Sequence, residues 1–119
     1  MLQITPQMRI FACTDPVDFR KGIDGMAAIC RNLLSKNPMD GAVFLFRSRS
    51  KVSLRVLAYD GQGFWLCTKR LSKGHFQWWP NNISSQTSIK MDAWELQTLL
   101  WNGDPSNAKF KDPWRKIAS

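Results

Sequence analysis

From Val52 to Tyr59 apolar and polar positions alternate, and Asp60-Gly61 follows at once. Val52, Leu54, Val56 and Ala58 share one side of that alternation, and Ser53, Arg55, Leu57 and Tyr59 share the other. A period of two is the signature of a strand. Asp-Gly tolerates the positive φ of a tight hairpin turn, so the next segment must return antiparallel. That segment, Phe64 to Lys69, is again rich in β-forming residues, as is Ala42 to Phe46 before it. Ser72-Lys73-Gly74 reads as a second turn, and His75 to Trp79 as a fourth strand ended by Pro80. The middle of the chain is therefore expected to form an antiparallel meander.

The flanks add helices. Met8 to Cys13 reads as a short first strand. Thr14-Asp15-Pro16 supplies a helix-start signal, with Asp15 as cap, Pro16 at the first helical position and Asp18 in the first turn. Phe19, Ile23, Met26, Ala27, Cys30, Leu33 and Leu34 then recur at three-and-four spacing, predicting an amphipathic helix over 19–36 that Asn37-Pro38 stops. Gly22 and Gly25 weaken its first turns. Asn81 to Ser88 reads as a polar loop and Ser88 to Met91 as a short strand. Asp92 and Glu95 predict a capping box for a helix reaching about residue 102, where Gly103 stops it. The expected fold class is α+β: a mainly antiparallel β-meander sheet of about five strands, packed by one helix in the N-terminal half and one C-terminal helix. One domain is expected over 1–103, and 104–119 reads as an irregular basic tail from which Phe110 and Trp114 are candidates for docking back. At 119 residues such a domain can bury a core without staples.

Catalytic chemistry is not legible. No P-loop, G-x-G-x-x-G or H-E-x-x-H pattern is present. The cysteines, Cys13, Cys30 and Cys67, are widely spaced, and His75 is the single histidine, so no metal or cofactor is expected. Asp15, Asp18, Asp24 and Asp60 are the acids that a nicking enzyme would have to gather around a metal, and three of them stand where caps or turns already favour aspartate. No run of residues is long and apolar enough for a membrane helix, nor does the N-terminus read as a signal peptide. The reading is a non-enzymatic, cytoplasmic protein.

Charge is the informative feature. Lysine and arginine outnumber aspartate and glutamate 17 to 9, for a net +8. Arg47, Arg49, Lys51, Arg55, Lys69, Arg70 and Lys73 stand against Asp60 alone between residues 47 and 75, so most of the excess lies there. Trp65, Trp78 and Trp79 are interleaved with these cations. Cations neutralise phosphates and exposed aromatics stack on bases, which makes these residues, with His75, the candidate DNA-binding set. Tryptophans at such positions serve equally to fill a core or cover a protein interface. Strand alternation suggests that one sheet face packs both helices while the other carries the cations.

Four blocks in order carry a family resemblance. They are Asp18-Phe19-Arg20-Lys21-Gly22-Ile23-Asp24-Gly25, Val43-Phe44-Leu45-Phe46-Arg47-Ser48-Arg49, Leu57-Ala58-Tyr59-Asp60-Gly61-Gln62-Gly63-Phe64-Trp65-Leu66, and Lys69-Arg70-Leu71-Ser72-Lys73-Gly74-His75-Phe76-Gln77-Trp78-Trp79-Pro80. From about Arg9 to Leu100 the chain resembles the small TnpB-type accessory protein encoded by the second open reading frame of the IS sixty-six insertion sequences. It departs from that pattern in Ser50-Lys51-Val52-Ser53, which lacks an acid, and at Tyr59, a position often held by tryptophan. The resemblance implies a bacterial mobile-element protein that serves transposition, a DNA recombination process, beside a separate, larger transposase. It brings no known active site. Two roles fit: element DNA held by the basic hairpins, in the cytoplasm or on the nucleoid, or a protein–protein adaptor that docks the transposase or other element-encoded proteins through Leu99-Leu100-Trp101 and the exposed tryptophans. Self-association through a sheet edge or the tryptophan patch stays open.

Overall fold

The structure, a computed structural model, describes residues 5–80 and 86–105. Five strands, β1 (Ile10–Cys13), β2 (Val43–Arg47), β3 (Ser53–Tyr59), β4 (Phe64–Arg70) and β5 (Ser88–Met91), form one sheet in the order β4-β3-β2-β1-β5. Two helices, α1 (Ile23–Asn32) and α2 (Ala93–Leu100), complete the α+β fold. β2, β3 and β4 make the meander, with Val56 opposite Cys67 and Leu45 opposite Val56. Gly61 at φ +97° and the Asp60 carboxylate, which accepts the Gln62 and Gly63 N–H groups at 2.9 Å, close the β3–β4 hairpin. β1 departs from the antiparallel pattern: it pairs parallel to β2 and antiparallel to β5. A parallel neighbour needs a crossover, and α1 lies in that crossover.

Both sheet faces are buried, and each helix covers one. Alternation along the strands sends Ile10, Ala12, Val43, Leu45, Leu54, Val56 and Ala58 to one side, where they pack with Leu96 and Leu99 of α2 and with Phe76 and Trp79. The opposite parity sends Cys13, Phe44, Phe46 and Leu57 to Met26, Ala27 and Cys30 of α1. The expectation that one face packs both helices is thus corrected. β2, apolar at four successive positions, is a strand buried on both faces, which leaves no bare face for the cations.

Two further expectations change. α1 begins at Ile23 rather than near residue 19. Val17 donates its N–H to Arg47 O and bridges Ser48, so the chain after Pro16 runs extended beside the end of β2. The helix starts only where Gly25 permits it; a Cβ there would lie 2.5 Å from Lys21 Cβ. The second correction is that His75 to Trp79 is not a strand. Gly74, at φ +68°, turns the chain away from β4. Phe76 and Trp79 then both enter the core, a spacing of three that a strand cannot deliver to one face. The Phe76 N–H goes to Lys51 O and the Gln77 N–H to the Asn102 side chain, so these donors need no neighbouring strand. The fifth strand is instead Ser88–Met91. The Asp92–Glu95 capping box forms as predicted, with the Asp92 N–H donating to Glu95 Oε1 at 2.8 Å. Phe110, Trp114 and most of the tail lie outside the described residues.

Leu96→Ala removes a fully buried side chain between α2 and the sheet. It should lower the unfolding free energy by about 2–5 kcal/mol in urea denaturation, whereas Gln97→Ala on the solvent side should change it by less than about 0.5 kcal/mol.

Candidate nucleic-acid interface

β1, β2 and β4 finish, and β3 and β5 begin, at one end of the sheet. The β2–β3 turn and the segment after β4 are tied together there, by Leu71 N–H to Val52 O and Phe76 N–H to Lys51 O, each 2.8 Å. That linkage brings Arg49 and Lys51 of the β2–β3 turn together with Arg70, Lys73 and His75 at and beyond the end of β4. All five are exposed, and none has an ion-pair partner among the described residues. Arg20 and Lys21 precede α1 at the same end. Arg20 is committed to Asp18 at 2.8 Å, and that guanidinium holds the Asp18 carboxyl down to about 2. Asp40, Asp60 and Asp92 sit at the opposite end, before β2, after β3 and after β5. The fold therefore separates charge along the strands, although Asp15, Asp18 and Asp24 moderate the basic end.

Three of the sequence-predicted cations are placed differently. Arg47 is half-buried, its guanidinium 5.4 Å from the Trp79 ring and reaching Thr14 O at 3.4 Å. Burial pushes its pKa below the ordinary value, and its Nε has no partner. Arg55 lies 4.4 Å over Phe19 and donates to Lys21 O at 2.8 Å, pinning the segment before α1. Lys69 donates its ammonium to Leu100 O and lies 5.3 Å from the Trp101 ring. α2 carries no basic residue in its own last turn, so Lys69 supplies from β4 the cation that the negative helix end favours. These three side chains spend their charge inside the fold.

The aromatics divide too. Trp79 is buried and donates Nε1–H to Cys13 O at 2.9 Å, and Trp78 is half-buried against the same core. Trp65 stays 50% exposed, its indole N–H held by Asp60 at 2.8 Å. Trp101 is 84% exposed. Sequence reasoning also passed over an open groove of about 540 Å³ between the end of α1 and β5, lined by Phe11, Lys36, Gln86, Thr87, Ser88 and Lys90. Lys36 stands 4.1 Å over the Phe11 ring there. No local pattern marks this groove, because three separate segments build it. Among the described residues no three His, Cys, Asp or Glu side chains gather to hold a metal ion, and no helix is long and apolar enough to cross a membrane.

Truncating Arg47 to Ala strips the cation from Trp79 and leaves Thr14 O short of a donor, so it should cost about 1–3 kcal/mol of stability. Arg49→Ala should cost less than about 0.5 kcal/mol in the same urea titration. The thiols should also separate. Burial pushes Cys30 up to about 12 and raises Cys13, whereas Cys67 is half-exposed on β4. At pH 8 a disulfide reagent should modify Cys67 alone before unfolding, as read by mass spectrometry.

Comparisons place this architecture among known sequences. Residues 8–109 match the family model described as IS66 Orf2 like protein. Two similar proteins come from Sinorhizobium fredii (strain NBRC 101917 / NGR234). Uncharacterized protein y4jC is 40% identical over 104 residues, covering 87% of this chain and 86% of that protein. Uncharacterized protein y4hO is 41% identical over 78 residues, covering 66% and 68%. No solved structure matches the chain.

Proposed function

The chain belongs to the IS66 Orf2-like family, and we propose that it is a non-catalytic accessory protein of insertion-sequence transposition that holds element DNA at the basic end of its sheet. The observation carrying this reading is the convergence of Arg49, Lys51, Arg70 and Lys73, exposed and without ion-pair partners among the described residues, on one end of the domain. These four neutralise phosphates, with His75 beside them. Arg47, Arg55 and Lys69 act behind them, tying the sheet to Thr14, to the segment before α1 and to the end of α2. Trp65, the half-buried Trp78 and the buried Trp79 lie too far inside or too far down β4 to be primary stacking platforms at this end. The contacts are to phosphate, so the binding is weakly sequence-dependent and a transposase supplies site choice and chemistry. The setting is the bacterial cytoplasm, on the nucleoid where the element lies.

A second reading rests on the exposed Trp65 and Trp101. Here the protein is an adaptor that docks the transposase or another element-encoded protein without touching DNA. Co-purification with the transposase from nuclease-treated extract, together with no DNA affinity of the isolated protein, would favour it.

If the four free cations release counterions, log affinity for duplex DNA should fall against log salt with a slope of about −3 to −4. Charge reversal at Arg49, Lys51, Arg70 and Lys73 should abolish binding at low salt while leaving thermal unfolding unchanged. Undiminished binding by that variant would move the site elsewhere, and no binding by the parent at low salt would refute direct DNA contact.

A further inference from the structure

β4 is an edge strand, and among the described residues nothing pairs with its outer side. The segment that would have continued the meander, His75 to Trp79, crosses to the α2 face instead. The other edge, β5, is a four-residue strand carrying Lys90 and is blunted by its shortness and charge. β4 is seven residues long and presents a half-apolar row to solvent. We propose that this edge is a homodimer interface, in which β4 of a second copy pairs antiparallel about a two-fold axis at Cys67, joining two five-stranded sheets into one.

The hydrogen-bond phase of β4 sets the register. Leu71 N–H binds Val52 O and Asp60 N–H binds Gly63 O, so the alternating bonded pairs with β3 are those of Trp65, Cys67 and Lys69. The N–H and C=O groups of Phe64, Leu66, Thr68 and Arg70 therefore point outward. A two-fold at Cys67 overlaps all seven residues and sets Phe64 opposite Arg70 and Leu66 opposite Thr68 of the second copy. Every outward group then meets another outward group in a bonded pair.

The side chains match in that same register. On the α2 face Trp65 falls opposite Lys69 of the second copy. Lys69 already lies against Trp101, so that tryptophan, the most exposed among the described residues, and Trp65 of the other copy close around one lysine stem. On the α1 face Arg70 meets Phe64. Each cation faces an aromatic ring rather than its own kind, as a self-complementary interface of a basic chain requires. Cys67 meets Cys67 in a non-hydrogen-bonded pair, where Cα atoms stand about 4.5 Å apart, within disulfide reach.

The test uses the full chain, freed of nucleic acid, in sedimentation equilibrium. The expected result is a dimer. Thr68→Pro deletes an outward N–H on an exposed residue that β3 does not use, so the variant should keep its circular dichroism and weaken the dimer by about tenfold or more. Oxidised glutathione, accepting two electrons as two thiols lose their protons, should yield a Cys67–Cys67 linked dimer that Cys67→Ser lacks. A monomer at every concentration reached overturns the proposal, as does a dimer that Thr68→Pro leaves unchanged. A monomer whose Thr68 amide is protected from hydrogen exchange would put another segment of the chain on this edge, and equally overturns it. The measurement contains no DNA, so its failure leaves the DNA reading standing.

Discussion

Burial of β2 on both faces is the constraint on which the rest of the structure depends. Phe44 and Phe46 fill one side while Val43 and Leu45 fill the other, and none is more than a few per cent exposed. A strand of that kind needs a layer on each side and a partner along each edge. β3 provides one edge by a short turn. β1 provides the other in parallel, and α1, sitting in the crossover, becomes the layer over Phe44 and Phe46. α2 and the Phe76–Trp79 segment close the remaining face.

With both faces occupied, the cations are driven to rims and ends. Where a strand position points a long basic side chain over an aromatic ring, the stem packs and the charge finds a carbonyl, as for Arg47, Arg55 and Lys69. Where the chain turns, the side chain points to water, as for Arg49, Lys51 and Lys73. The same residue types in one short stretch thus do two jobs, and position relative to the pleat decides which.

How much of this was legible follows the range of the signals. The β3–β4 hairpin was written in Val52 to Gly61, and the α2 start in Asp92 and Glu95, because alternation, turn chemistry and capping act over a few residues. The start of α1 was misread because Pro16 fits a helix start locally, while the hydrogen bond from Val17 to Arg47 that keeps the chain extended spans thirty residues. His75 to Trp79 has strand composition, yet Gly74 and Asn102 redirect it. The basic segment was visible as a block; the division of its members into packed and free was not, since Phe19, Trp79 and Trp101 come from elsewhere in the chain.

The position of β1 has a consequence for the order of assembly. The meander of β2, β3 and β4 closes through turns of a few residues and can form as soon as Arg70 is made. β1 is made first but must wait for β2, and β5 must wait for β1, to which it pairs across about eighty residues at Ile10 and Met91. The two ends of the domain are therefore stitched side by side last. Until residue 91 has left the ribosome, β1 holds an open edge and one face of the sheet lacks its helix, so the nascent protein is most vulnerable to off-path strand pairing between the emergence of β4 and that of β5.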